Sequence, residues 1–399
     1  MISQRQLFLD HLAQTSDSPI GLEIVKAEGV YLEDLSGKKY LDLISGISVS
    51  NIGHRHPKVL AAIQNQLDKY LYVMVYGEFI QSPQLTFAKL LTDLLPFSLN
   101  SVYFTNSGSE ANEGALKLAK RYTNRTEIIA FKNAYHGSTQ GALSVMGEEN
   151  FKRAFRPLLP DIRFISYNNI NDLNYISNKT ACIIVEPVQG EAGVIIPEND
   201  YLKKLRLKCT ETGSLLIFDE IQTGFGRTGS LFAFEQFEVV PDILTIAKGM
   251  GGGMPIGAFL AQKEIMQSLM SNPVLGHITT FGGHPVCCAA GKACLEALIE
   301  ENLMEKVKEK ELLFRDLLKH PQINEIRSIG LMLAVDFGDP ILNKKVINTC
   351  ISKGVITDWF LFCDHSMRIA PPLTITMAEI KEACNVIIES INASVNSYK

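Results

Sequence analysis

The 399-residue chain has little of what several protein classes require. Its eight cysteines (Cys182, Cys209, Cys287, Cys288, Cys294, Cys350, Cys363 and Cys384) never form a CxxC pair, and no histidine stands at metal-ligand spacing from them. No metal is expected, and the thiols read as reduced and cytosolic. No run reaches the ~18 apolar residues of a membrane span. The opening segment, MISQRQLFLDHLAQ, carries Arg5 and Asp10 where a secretory peptide needs an unbroken apolar stretch, so a soluble cytoplasmic enzyme is expected. A net charge of −5 leaves no positive surplus for nucleic acid or an anionic membrane. Internal repeats and low-complexity linkers are also missing. Hydrophobic residues at 46% against charged residues at 20% exclude disorder.

What is present is an alternation of short apolar runs with helical segments. Residues 23–43 alternate apolar and polar positions around Glu28-Gly29 and Ser36-Gly37, which predicts a small antiparallel meander. Beyond His56 the apolar runs IIAF (128–131), IRFISY (162–167), ACIIVEP (181–187), SLLIFDE (214–220), DILTIA (242–247) and IGAFLA (256–261) predict a mainly parallel sheet covered on both faces. Residues 285–319 carry one long helical pattern, with a domain boundary expected inside it near residue 300. The expected organisation is an N-terminal segment over 1–48 packing with the smaller domain, a large α/β domain over 49–300, and a smaller α+β domain over 301–399.

Ligands bind outside the carboxyl ends of strands in such sheets, so the residues that follow each run carry the functional expectation. Glu186 ends one run, Asp219 another, and Lys248 a third. A desolvated lysine has the lowered pKa that carbonyl chemistry needs. In TNSGSEANEGALKLAK (105–120), Ser107-Gly108-Ser109 precede a helix whose N–H groups can hold a phosphate. A lysine amine, a buried carboxylate and a phosphate cradle are what a pyridoxal 5′-phosphate (PLP) enzyme requires. Singly, each has a plainer reading: Lys248 as a strand-end lysine, Asp219 as a cap, Arg368 as a surface salt bridge.

Over nearly its whole length the sequence also resembles the class III PLP-dependent aminotransferases of fold type I, which include acetylornithine, ornithine and 4-aminobutyrate aminotransferases. The resemblance rests on YLDLISGISVSNIGHRHP, TNSGSEANEGALKLAK, AYHGST, VEPVQGEAGV, LIFDEIQTGFGRTG, DILTIAKGMGGGMPIGA, TTFGGHP and MRIAPPL, in the family's order. It implies that Lys248 carries the cofactor on its amine and that Asp219 pairs with the ring nitrogen. Gln222 would bond the ring's phenolic oxygen, with Ile221 and Tyr135 on the two ring faces. Ser107, Gly108 and Ser109 would hold the phosphate, and Thr280 would reach it from a neighbouring subunit, while Thr279 and Ser138 fall among the implied substrate-binding positions. The active site would then belong to a homodimer. His136 and Glu186 fall among the implied cofactor-binding positions, and Glu191 is the implied gate over Arg368, the residue for a substrate carboxylate. The implied reaction moves an amino group from an acetylornithine, ornithine or ω-amino-acid donor to an oxo acid by ping-pong kinetics.

One position departs from the pattern. Similar enzymes read HGR where this chain has His136-Gly137-Ser138, and a serine cannot form the bidentate fork by which an arginine grips a carboxylate. Arg121, Arg153 and a residue of a partner subunit are the candidate substitutes. Two other functions compete with this reading. Gly224 to Gly229 spell the GxGxxG of a nicotinamide dehydrogenase, but they start five residues beyond Asp219 without a second acidic strand end. A non-catalytic binding protein on this fold is disfavoured by the complete Lys248, Asp219, Gln222 set. His54 and His56 read as a loop-and-cap feature.

Overall fold

Residues 3–396 are described by the computed structural model; the ends of the expected N-terminal and C-terminal segments, residues 1–2 and 397–399, lie outside the described residues. The apolar runs become a seven-stranded sheet in the order Ser101–Thr105, Gly257–Ala261, Ile243–Ile246, Leu215–Asp219, Thr180–Val185, Glu127–Phe131, Ile162–Ile165. Successive side chains of a strand point to opposite faces, and here both faces are covered. Ile129, Phe131, Ile183, Val185, Leu216 and Phe218 enter the main core. Their neighbours Ile128, Ala130, Cys182, Ile184, Leu215 and Ile217 pack with Ala115, Leu118 and Ala119 of the helix Gly108–Thr123. Each such burial contributes about 1.5–3 kcal/mol, which is why the runs are unbroken rather than alternating.

The sheet is mainly parallel, as expected, with Gly257–Ala261 antiparallel to both neighbours. Two details differ from the sequence expectation. Ser101–Thr105 joins the sheet as an edge strand; its short stretch Val102-Tyr103-Phe104 is not among the expected runs, and only Thr105 is fully buried. The pattern over 285–319 is two helices, Pro285–Glu300 and Val307–Leu317, because Asn302 takes a left-handed conformation (φ 51°) that stops the first.

The meander forms as Ile24–Glu28, Tyr31–Asp34 and Lys39–Asp42. Its last strand pairs in parallel with Val355–Ile356, near the other end of the chain. A separate antiparallel sheet runs Glu325–Ser328, Leu333–Asp336, Cys363–Ile369, Asp358–Phe360. The closing helix Met377–Asn396 packs against Pro340–Ser352 and Val307–Leu317. Among the described residues no helix is long and apolar enough to cross a membrane.

Candidate active site

One edge of the central sheet gathers the chemistry. The strands that end at Thr105, Val185, Asp219 and Ile246 all finish there, and the loops that follow them enclose a cavity of about 380 Å³. Ser107, Gly108, Ser109, Tyr135, His136, Glu186, Glu191, Asp219, Ile221, Gln222 and Lys248 all line it. Four of the expected site residues do not. Ser138 is exposed, with its hydroxyl 3.3 Å from the Tyr135 hydroxyl. Thr279 accepts a hydrogen bond from Asn106 Nδ2 (2.9 Å), and Thr280 is exposed, its carbonyl accepting from the Tyr72 hydroxyl (2.7 Å). Arg368 is held behind Glu191.

Asp219 is fixed from three sides. His136 Nδ1 and Asn112 Nδ2 approach Oδ2 at 2.7 and 2.8 Å, and the Ile221 N–H donates to Oδ1 at 3.0 Å. Asn112 Nδ2 also donates to the His136 carbonyl at 2.8 Å, so one buried amide ties the histidine loop to the carboxylate. The sequence reading missed Asn112. Its signal was a polar residue among Ala111, Gly114, Ala115 and Leu118 on the buried face of its helix.

The helix Gly108–Thr123 starts at Ser107, whose hydroxyl accepts from the Glu110 N–H at 3.2 Å, while Glu110 reaches back to the Asn106 N–H at 2.9 Å. Gly108 and Ser109 occupy the first two helical positions, whose N–H groups have no intrahelical carbonyl to bond, and both line the cavity. A β-carbon on Gly108 would lie 2.6 Å from Ile221 Cδ1, so only glycine lets the helix start press on Ile221.

Lys248 opens onto the same cavity; burial pushes its amine down, with Glu191 and Asp219 opposing. Glu186 accepts the N–H groups of Tyr135 (3.0 Å) and Gly190 (2.9 Å), and burial pushes it up to about 7 although His136 pulls the other way. Glu191 and Arg368 form a bidentate pair at 2.9 and 2.8 Å, both buried, so Arg368 is no surface salt bridge. Burial would raise Glu191, and the guanidinium more than offsets it. Gln222 Nε2 donates to Glu191 Oε1 at 3.3 Å, which draws it toward the Glu191–Arg368 pair.

The remaining motifs resolve as structure. Residues 221–230 form turns and open no helix, as a dinucleotide fingerprint would. Arg227 within them is wholly buried and donates to the carbonyls of Leu331 and Pro371 and to Asn51 Oδ1. His54 bonds Asp42 and His56 bonds Glu301, both at 2.8 Å. Neither Arg121 nor Arg153 lines the cavity; Arg121 donates to the Asn272 carbonyl.

The sequence profile of the Aminotransferase class-III family matches residues 12–391. Acetylornithine aminotransferase of Methanopyrus kandleri is 39% identical over 389 residues, covering 96% of this chain and 97% of its own. A LysW-aminoadipate semialdehyde/glutamate semialdehyde transaminase of Sulfolobus acidocaldarius is 38% identical over 377 residues, 93% of this chain and 95% of its own. Among solved structures, an ornithine aminotransferase from Toxoplasma gondii superposes with a TM-score of 0.91 at 31% identity, covering 98% of this chain and 93% of that one. That crystal structure has partial occupancy of PLP at its active site.

Proposed function

The chain belongs to the class III aminotransferases, and from that premise we propose that it transfers amino groups with pyridoxal 5′-phosphate held in the cavity around Lys248. One observation carries the reading: a lysine amine, a carboxylate fixed by three donors and an open helix N-terminus line a single cavity of about 380 Å³. The residues fit the group. Gly108 and Ser109 offer N–H donors to a phosphate, with the Ser107 hydroxyl already used as cap. Asp219 offers its carboxylate to the ring nitrogen, and Ile221 and Tyr135 offer apolar faces. His136 Nε2, buried without a partner, marks a polar position left open. When bound, PLP supplies an electron sink.

The protein's own contribution is binding and proton transfer. Lys248 Nζ, kept toward its neutral form by burial, would hold the cofactor until the substrate amine displaces it, and the freed amine would then accept the proton from the amine-bearing carbon of the substrate. Asp219, oriented by His136 and Asn112, would keep the ring nitrogen protonated. Glu191 swings from Arg368 to admit a substrate carboxylate, and both half-reactions use the one site, which gives ping-pong kinetics. The donors proposed are acetylornithine, ornithine or ω-amino acids, with an oxo acid as acceptor. Thr280 is assigned to the phosphate of a second subunit; it is exposed, and Val274, Leu275, Ile278 and Phe281 around it are exposed too. A cytoplasmic location is supported by eight buried cysteines, none in a disulfide.

The test is the absorbance spectrum of the purified protein with added PLP, followed by borohydride reduction and peptide mass mapping. A yellow protein whose reduced adduct sits on Lys248 is expected. A colourless protein, or an adduct on another residue, sinks the assignment.

A further inference from the structure

One buried acid beside Arg368 has no part in the chemistry described so far. Asp358 lies directly opposite Arg368 in the antiparallel pair of strands Asp358–Phe360 and Cys363–Ile369. Its Oδ1 is 3.0 Å from Arg368 Nε. The two already form a buried ion pair, although Nε–H and Oδ1 are not aligned for a full hydrogen bond. The rest of the guanidinium's surroundings are fixed: Nη2 donates to the Trp359 carbonyl at 3.1 Å, and the group stacks 4.5 Å from the centre of the Phe360 ring. Arg368 thus has one carboxylate fully bonded at its end and a second, less well aligned, ion-paired at its side.

A buried guanidinium left without an anion is strongly disfavoured. Glu191 must leave before a substrate carboxylate can take its place, and a small turn of the guanidinium would then align Nε with Asp358 while the end of the fork stays open. Resting on the reading of Arg368 as the substrate-carboxylate residue, we propose that Asp358 is a positioning residue which takes the side of Arg368 as Glu191 departs, so that the arginine stays paired and aimed throughout the exchange. The charged groups around Asp358 agree with this. Burial pushes it up to about 6, Arg368 pulls it down, and Glu191 and Asp42 push it up. Removing Glu191 lifts one of those repulsions, so Asp358 holds its charge more firmly in the open state than in the closed one.

Glutarate, a dicarboxylate without an amine or carbonyl, serves as the probe of the carboxylate site in the PLP-loaded enzyme, titrated by calorimetry. Asp358→Asn is expected to weaken glutarate on the order of tenfold, with KM for the oxo acid rising by a similar factor while kcat stays within about twofold. Asp358→Glu, which keeps the charge, should recover most of the loss. Normal glutarate affinity in Asp358→Asn, with binding abolished in Arg368→Gln, overturns the role of Asp358 and leaves that of Arg368 standing. Glutarate that binds wild type and Arg368→Gln alike, or neither, overturns the carboxylate reading and this inference with it. A fall in kcat matching the rise in KM would make Asp358 a support of the fold instead, and also overturns the proposal.

Discussion

Lys248 holds a positive φ of 47°, a conformation that residues with a β-carbon rarely adopt and that tends to persist where surrounding structure enforces it for function. Lys248→Ala should therefore still take up PLP, since Asp219 and the helix start remain, while turnover falls by several orders of magnitude; near-normal turnover in a stopped assay would remove the residue from the chemistry. Ser138 sits exposed beside Tyr135, and among the described residues no arginine lines the cavity. Discrimination between 2-oxoglutarate and pyruvate should be weak, and Ser138→Arg should raise kcat/KM for 2-oxoglutarate by roughly 10- to 150-fold. A wild type that already prefers 2-oxoglutarate a thousandfold, with no gain in the variant, defeats that expectation. Glu220 lies outside the cavity and accepts from Thr223 Oγ1, Ala233 N and Phe234 N, yet burial pushes it up to about 7. A carboxyl whose pKa is raised on folding binds its proton more tightly folded than unfolded. Its contribution to stability is thus greatest below the unfolded value, falls as pH rises from about 4.5 to 7, and stays lost above. Urea midpoints at pH 5.5 and 8 should show this decline in wild type and a shallower one in Glu220→Gln; equal slopes would contradict it.

The turn that carries His136 and Ser138 depends on close approach to the helix beginning at Gly108. Gly137 has φ +123°, and a β-carbon there would stand 2.1 Å from Ser109 Oγ and 3.1 Å from its Cα. Gly137→Ala must therefore push the turn away from the helix start, separating the element that carries His136 from the one that carries Gly108 and Ser109, the proposed phosphate donors. The expected result is PLP affinity reduced about tenfold or more in equilibrium dialysis, since strain of this kind is worth ~1–3 kcal/mol. Unchanged affinity would show that the turn yields without disturbing Ser109. Glu113 anchors the far side of the same turn, accepting from Thr139 Oγ1 (2.6 Å) and from the N–H groups of Gly141 (2.7 Å) and Ala142 (3.2 Å).

At the scale of the molecule, the exposed Thr280 loop and the apolar residues around it predict an active homodimer or dimer-based assembly, and sedimentation of a fully active monomer would refute it. Thr280→Ala should weaken PLP with little change in the folding of the single chain. The sequence determined by itself that Lys248, Asp219 and Glu186 occur at strand ends, because short unbroken apolar runs alternating with helical segments read as strands buried on both faces and a parallel sheet brings their ends to one edge. It also determined the family, through motifs kept in order along the chain. It did not determine the antiparallel insertion of Gly257–Ala261, which no local pattern encodes, or the break at Asn302, which a residue in a polar helical stretch does not announce. Only the tertiary structure decided that Asn112 braces Asp219 and that Asp358 faces Arg368. In each contact the partner, Asn112 or Asp358, carries no motif of its own, and the contacts exist because separate elements fold to within hydrogen-bond or ion-pair reach of one another.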